Sequence, residues 1–129
     1  IEATIEQKNL NGVVIMTGVK PNVCDYYQAM DMFVFPSIYE GLPVSMVEAQ
    51  ASGLHCLVSS NVPKETAITD LVKFMSLEFG AYDWAKRILQ YMKYNRKDMT
   101  VEIQNSGYDV NTTAQWITDF YTKVGPNCE

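Results

Sequence analysis

The stretch from Phe33 to Gly53, FVFPSIYEGLPVSMVEAQASG, constrains the fold more than any other part of the chain. The apolar run at residues 32–35 predicts a strand that is buried on both faces. Pro43 is typical of the first helical position, where its missing N–H costs nothing, and Gly53 suits the left-handed residue that follows a helix. The stretch is therefore predicted to form a strand, a tight loop and a helix over residues 43–52.

The loop between this strand and this helix is the predicted ligand site. The carboxyl end of a parallel strand meets the amino end of a helix here, and the free backbone amides and the helix dipole favour an anion. Glu40 precedes the helix and Glu48 lies within it. A carboxylate accepts hydrogen bonds from hydroxyl groups rather than ligating phosphate, so the combination suits a nucleoside-diphosphate sugar. Taken alone, each glutamate is more typical of a solvated acid on a loop or a helix.

The segment PSIYEGLPVSMVEAQASG resembles the glutamate-x7-glutamate signature of glycosyltransferase family four (group 1). That signature belongs to the C-terminal, nucleotide-sugar-binding domain of the GT-B fold. The segment NVPKETAITDLVKFMSLE resembles the capsular and exopolysaccharide branch of the family. The positions in register with the signature are Asp31, Pro36, Ser37, Glu40, Gly41, Pro43, Glu48, Ala49, Ala51 and Gly53. The resemblance implies a retaining glycosyltransferase of the hexosyltransferase type, acting in polysaccharide biosynthesis.

The resemblance also implies roles for individual residues. Glu40 is the expected catalytic residue, which contacts the donor sugar near its hydroxyls, and Glu48 is expected to accept hydrogen bonds from the ribose. Gly18, Val19 and Lys20 are candidates for contact with the nucleotide base, although a plain strand-to-helix connection explains them equally well. The diphosphate or the sugar is expected to face four backbone N–H groups, those of Gly41, Leu42, Val44 and Ser45.

Further parts of such an enzyme are expected outside this chain. In the family, basic residues that clamp the diphosphate come from strands expected before residue 1, and the acceptor contacts a separate N-terminal domain. The expected partners are a nucleotide-sugar donor, that N-terminal domain and a glycan or lipid-linked acceptor, and the fragment alone is expected to be inactive. Two alternatives stay open: a Rossmann-like module that only binds or scaffolds, and another GT-B enzyme such as a nucleotide-sugar epimerase.

Composition argues against several other classes of protein. The 129 residues are 47% hydrophobic and 19% charged, which predicts one globular domain over 1–129. A net charge of −5 without a Lys/Arg run argues against nucleic acid as a partner, and no apolar run reaches membrane-spanning length.

The histidine and acidic residues predict no metal site. His55 is the single histidine, and we interpret it as structural. Because there is also no acidic cluster, we expect no metal site and no cofactor. Three cysteines without zinc or redox spacing (Cys24, Cys56 and Cys128) predict reduced thiols, with Cys56 in the core. The expected location is the cytoplasm, with peripheral attachment to the inner membrane face through the N-terminal domain as an option.

Alternating strands and helices predict an α/β fold, a three-layer Rossmann-like parallel sheet with helices on both faces, truncated at its N-terminus. Strands are expected at 13–16, 32–35, 54–59 and 72–75, and a loop with one helical turn at 60–70. Helices are expected at 1–9, 21–30, 43–52, from Gly80 onward, 99–106 and 111–123.

Several side chains have expected places in this fold. We expect Trp84 in the core, Asn111 as the N-cap of the last helix, and fraying at residues 125–129. The inner face of the second helix is predicted to be Tyr26, Ala29 and Met30, and one face of the last helix to be Trp116, Phe120 and Val124.

Overall fold

The structure is a computed structural model that describes residues 1–124, which form six α-helices and a three-stranded sheet. The helices are α1 Glu2–Gln7, α2 Val23–Ala29, α3 Val44–Ala51, α4 Ala81–Tyr91, α5 Thr100–Asn105 and α6 Val110–Val124. The strands are β1 Phe33–Phe35, β2 Cys56–Ser59 and β3 Val72–Met75, and a short 3₁₀ turn spans Lys64–Thr66. The predictions for residues 125–129, for Cys128 and for the side chain of Val124 lie outside the described residues.

The sheet is entirely parallel and its strands lie in the order β1-β2-β3. The register places Phe33 opposite Cys56, and Cys56 opposite Val72. Because side chains alternate along a strand, Cys56 and Val58 point to one face of the sheet and Leu57 points to the other. The carboxyl ends of all three strands meet at one edge.

Helices cover both faces of the sheet. On the first face, Cys56 and Val58 pack in one buried cluster with Met46 and Ala49 of α3 and Tyr27 of α2. On the second face, Leu57 and Met75 pack against Trp84 of α4, with Ile88 at the margin of the cluster. The predicted three-layer α/β arrangement is therefore confirmed, and so is the prediction that Trp84 belongs to the core.

The strand expected at residues 13–16 does not form, and this prediction is wrong. Val13 is 77% exposed and Ile15 is 75% exposed, and the segment makes only a local bridge between Asn11 and Val14. An apolar run becomes a buried strand only where a neighbouring strand supplies its hydrogen bonds. Within residues 1–124 no strand lies beside this segment.

The side chains of β1 and α2 are buried differently from the prediction. β1 is not buried on both faces: Val34 is 37% exposed, because β1 lies at the margin of the described sheet. The inner face of α2 is formed by Tyr27, which is 4% exposed, whereas Ala29 and Met30 are exposed. The helix is thus rotated relative to the predicted face, so that the Tyr27 ring packs edge-on against Phe33.

Two helix starts also differ from the prediction. Pro43 is the N-cap of α3 rather than its first residue, and Gly53 ends that helix with a φ of 70°, as predicted. Asn111 is not the cap of α6, which begins at Val110. Asp109 caps it instead, because its Oδ1 accepts a 2.8 Å hydrogen bond from the backbone N–H of Thr112. The hydrogen bonds from Thr112 lower the pKa of the Asp109 carboxyl.

Candidate functional site

The loop between β1 and α3 is held in place by side-chain hydrogen bonds. The Ser37 hydroxyl lies 2.7 Å from Oε1 of Glu40, to which it donates, and 3.2 Å from the carbonyl oxygen of Tyr39. From the loop after β2, Asn61 Nδ2 donates to the carbonyl oxygen of Ile38 at 3.1 Å. The carboxylate of Glu40, which is half-buried, is therefore positioned by the loop itself at the carboxyl edge of the sheet.

The start of α3 offers a group of free backbone donors. Met46 N–H donates to the carbonyl oxygen of Pro43 at 3.0 Å. Within the described residues, none of the amides of Gly41, Leu42, Val44 and Ser45, which precede it, donates to a protein acceptor. Gly41, Leu42 and Val44 are exposed, and Ser45 is half-buried. These donors coincide with the positive end of the helix dipole, so the four predicted amide positions form a place that favours an anion.

Glu48 is positioned by a tyrosine of the neighbouring helix. The Tyr27 hydroxyl donates a 3.1 Å hydrogen bond to Oε2 of Glu48. The pKa of Tyr27 is raised to about 12, mainly because the side chain is buried and to a smaller extent because it donates to Glu48. The tyrosine therefore stays a donor at neutral pH, and one carboxylate oxygen of the exposed Glu48 remains for an outside hydroxyl group.

A cavity of about 250 Å³ lies beside Tyr27. Gly18 and Lys20 line it together with Tyr27 and Phe33, so the structure brings two of the candidate base contacts next to the residue that holds Glu48. The Val19 side chain is fully exposed and does not line this cavity. A contact of Val19 with the base stays a prediction.

The two glutamates have separate partners. Glu40 is bound by Ser37 within the loop, and Glu48 is bound by Tyr27 between α3 and α2. The free amides lie between them in sequence, at the start of the same helix. These free donors could serve an anion and the two carboxylates could accept from hydroxyl groups, and the binding roles of all these residues stay predictions.

His55 and Cys56 have structural surroundings. The His55 ring stacks on Tyr94 at 3.9 Å between ring centroids, and its Nδ1 lies 3.0 Å from the carbonyl oxygen of Tyr91. Burial raises the pKa of the Cys56 thiol to about 12, which removes its nucleophilic form at neutral pH. The prediction that Cys56 belongs to the core is confirmed. A structural role for His55 stays a prediction, with which its contacts to Tyr91 and Tyr94 agree.

The described part of the chain, residues 1–124, lacks both a candidate metal cluster and a membrane-spanning helix. No group of three or more His, Cys, Asp or Glu side chains there could hold a metal ion. In the same range, every helix is too short or too polar to traverse a lipid bilayer.

Gln50 joins α3 to the loop after β2 and was not among the residues predicted from the sequence. Its side chain is fully buried, and its Nε2 donates to the carbonyl oxygen of Thr66 at 2.8 Å. Its Oε1 accepts from the backbone N–H groups of Ile68 and Thr69 at 3.0 and 3.1 Å. The signal was its spacing, since Gln50 lies one helical turn after Met46 and therefore on the same buried side of α3.

Comparison with known protein families identifies the chain. The profile described as "Glycosyl transferases group 1" matches residues 1–108, which include the whole loop and α3. The chain belongs to the group 1 glycosyl transferases. The resemblance carried by the segment from Pro36 to Gly53 is thereby confirmed.

Three curated relatives of this group 1 chain have similar sequences. The Bacillus subtilis protein EpsF, whose name assigns it to the glycosyltransferases, is 33% identical over 94% of this chain and 33% of its own length. The capsular polysaccharide biosynthesis glycosyltransferase CapH of Staphylococcus aureus is 30% identical over 89% of this chain and 32% of its own. An N,N'-diacetylbacillosaminyl-diphospho-undecaprenol alpha-1,3-N-acetylgalactosaminyltransferase of Campylobacter jejuni is 34% identical over 78% of this chain and 23% of its own.

This group 1 chain spans about a third or less of the length of these relatives. The similarity to EpsF and CapH confirms the resemblance to the capsular and exopolysaccharide branch. No solved structure matches the chain significantly.

Proposed function

We propose that this chain is the nucleotide-sugar-binding part of a retaining GT-B glycosyltransferase that acts in polysaccharide biosynthesis. The observation that carries the proposal is the row of free amides from Gly41 to Ser45, at the start of α3, with an acid held on either side of it in sequence. The free amides can bind the negatively charged diphosphate, and the two carboxylates can accept hydrogen bonds from the hydroxyl groups of the sugar and the ribose. Both are present in one strand-loop-helix unit.

Each group in the site has a distinct role in the proposed transfer. The amides of Gly41, Leu42, Val44 and Ser45 stabilise the negative charge that grows on the departing nucleoside diphosphate. Glu40 contacts the donor sugar at its hydroxyls, and Ser37 keeps that carboxylate oriented. Glu48 accepts from the ribose hydroxyls while Tyr27 fixes its other oxygen. Gly18, Val19 and Lys20 face the base, next to the cavity beside Tyr27.

The acceptor side is proposed to come from an N-terminal domain of the same protein. This chain spans only about a third of EpsF and of CapH, which leaves room for such a domain in a protein of their length. An exposed aromatic surface supports the proposal: Trp116 and Phe120 of α6 are 66% and 49% exposed and stack on each other. This confirms that the two residues share a face of α6. The proposed acceptor is a glycan or a lipid-linked glycan, in keeping with the name of the Campylobacter relative.

The proposal needs no metal ion and no bound cofactor. The charge of the diphosphate is met by the amides, by the dipole of α3 and by basic side chains of the N-terminal part. The cytoplasm is the proposed location, since Cys24 and Cys56 are free thiols.

The proposal is tested by titrating nucleoside diphosphates into the protein in a calorimeter. Glu48→Gln removes an ionised acceptor, and a hydrogen bond to a charged group contributes about 1.5–3 kcal/mol, so affinity falls at least about tenfold. Glu102→Gln, an exposed glutamate on α5, is the charge-matched control and leaves affinity unchanged. Equal affinities of the Glu48→Gln variant and the parent protein contradict the ribose role.

A module that binds without transferring is distinguished by a second experiment. The full-length protein is incubated with a nucleotide-sugar donor and a lipid-linked acceptor, and sugar transfer is followed. Glu40→Gln is expected to abolish transfer while it leaves nucleoside diphosphate binding unchanged, because Glu40 contacts the sugar rather than the nucleotide. Donor binding without any transfer by the parent protein favours the binding module.

A further inference from the structure

A second cavity lies at the carboxyl edge of the sheet, beside the ends of β2 and β3. It measures about 540 Å³, and none of its lining residues belongs to the proposed donor site. Ser60 follows β2 and Ser76 follows β3, so the ends of two neighbouring strands form one wall. This volume lies within the range of about 300–1,000 Å³ that is usual for small-molecule sites.

One face of α4 forms the opposite wall. Its lining residues are Asp83, Lys86, Arg87 and Gln90, which recur at helical spacing. The adjoining side of the same helix carries Trp84, which is buried in the core. The packing of Trp84 therefore sets which side of α4 borders the cavity, and the two cations of that side line it together with the strand ends.

Neither cation of this wall takes part in an ion pair within residues 1–124, although Arg87 lies over the ring of Tyr91 at 6.0 Å from its centroid. The ion pair found among residues 1–124 joins Lys97 to Asp70, and neither Lys86 nor Arg87 takes part in it. In a chain whose net charge is −5, the two cations of this concave wall outnumber its one acid, Asp83, and leave a local positive field. Such fields are focused by a cleft and attract anions. Polar helix faces are usually only solvated, but here the cations oppose a second wall with hydroxyl donors.

The geometry points to a phosphate-binding site between Lys86 and Arg87 on α4 and the hydroxyls of Ser60 and Ser76, and we propose that it binds a phosphorylated small molecule or lipid headgroup. Arg87 and Lys86 supply charge-assisted hydrogen bonds, for which phosphate is a preferred acceptor. Phe79, which is 54% exposed, adds an apolar wall for the group that carries the phosphate. The proposal is independent of the donor site, since it uses none of its residues.

The test compares two sources of phosphate. Inorganic pyrophosphate is titrated into the ¹⁵N-labelled protein, and binding to phosphatidylglycerol vesicles is measured against phosphatidylcholine vesicles. The variant is Lys86→Gln with Arg87→Gln, both on the exposed side of α4. Lys73→Gln with Lys93→Gln, at two exposed positions that do not line the cavity, is the charge-matched control. Circular dichroism of each variant confirms that it is folded.

The expected result is that pyrophosphate, or the anionic vesicles alone, shifts the amide signals of Ser60, Ser76 and Arg87. Affinity falls at least about tenfold in the cavity variant and stays within about twofold in the control, since only the first removes charge-assisted donors. Pyrophosphate binding that shifts these three signals identifies a small phosphorylated ligand, and binding to anionic vesicles alone identifies a lipid headgroup. The proposal is overturned if neither binds, if pyrophosphate shifts only the signals at the start of α3, or if the two variants lose affinity equally.

Discussion

Replacement of Gln50 by methionine is expected to destabilise the protein strongly. Methionine has nearly the same volume, so the change removes hydrogen bonds without opening a cavity. In the native protein the buried Gln50 amide serves three backbone groups of the loop after β2, namely the carbonyl oxygen of Thr66 and the N–H groups of Ile68 and Thr69. Gln50→Met leaves all three without this partner.

The cost follows from the burial of those groups. An unpaired buried polar group costs about 1–3 kcal/mol, and Thr66 is fully buried, whereas Ile68 and Thr69 are half-buried and reach water in part. The sum is about 4 kcal/mol, a large share of the 5–15 kcal/mol that stabilises a typical domain. With a urea dependence of about 2 kcal/mol per molar, the midpoint of urea unfolding falls by roughly 2 M.

Urea unfolding followed by circular dichroism measures the effect. Gln104→Met is the matched control, because Gln104 is exposed on α5, and its midpoint stays within about 0.5 M of the parent protein. A Gln50→Met midpoint within that same range would refute the reasoning, since it would show that the loop is not held by this amide.

The remaining predictions concern Tyr27, Gly53 and the thiols. Tyr27→Phe removes the hydrogen bond to Glu48, so we expect the free energy of unfolding to fall by about 1 kcal/mol. Calorimetry should also show several-fold weaker binding of nucleoside diphosphates. Unchanged affinity argues against the positioning of Glu48 by Tyr27. Gly53→Ala is expected to lower the free energy of unfolding in urea by at least about 2 kcal/mol, because the φ of Gly53 is 70° and a Cβ would lie 2.6 Å from the carbonyl oxygen of Lys97. Gly80→Ala is the control and should cost less than about 1 kcal/mol, since a Cβ there would meet no atom within 4 Å. An equal loss in both glycine variants contradicts this account. Iodoacetamide at pH 8 is expected to modify the exposed Cys24 and to spare Cys56, as read by mass spectrometry of peptides; modification of both at the same rate contradicts burial. Burial raises the Cys56 pKa from 9.0 to about 12, so the unfolded chain loses this proton first and the free energy of unfolding falls as the pH rises from about 9 to about 12. Cys56→Ala is expected to flatten that decline. An unchanged dependence of stability on pH in the variant contradicts the role of this thiol.

The sequence predicted the elements whose neighbours lie close along the chain. The unit from Phe33 to Gly53 could be predicted because Pro43 and Gly53 mark the two ends of one helix by backbone chemistry alone. Trp84 could be placed in the core because the spacing of apolar residues in α4 leaves a single inner face. Both depend on local rules that the rest of the fold does not override.

The failures depend on neighbours that are distant in sequence. Residues 13–16 have the composition of a buried strand, but strand formation depends on a partner that the segment itself cannot reveal. Tyr27 rather than Ala29 faces inward, since the direction of α2 is set by its packing against α3 and Phe33. Gln50 was missed for the same reason: its partners, Thr66 to Thr69, lie in another loop. In the site, the signature predicted the two glutamates but not Ser37 and Tyr27 as the residues that position them.

The most direct test of the central claim is a map of the amide signals that move when a nucleoside diphosphate is added to the ¹⁵N-labelled protein. The account predicts the largest shifts at Gly41, Leu42, Val44 and Ser45, with smaller shifts at Gly18 and at Glu48. Saturable binding whose shifts lie elsewhere and leave the start of α3 unchanged would contradict it.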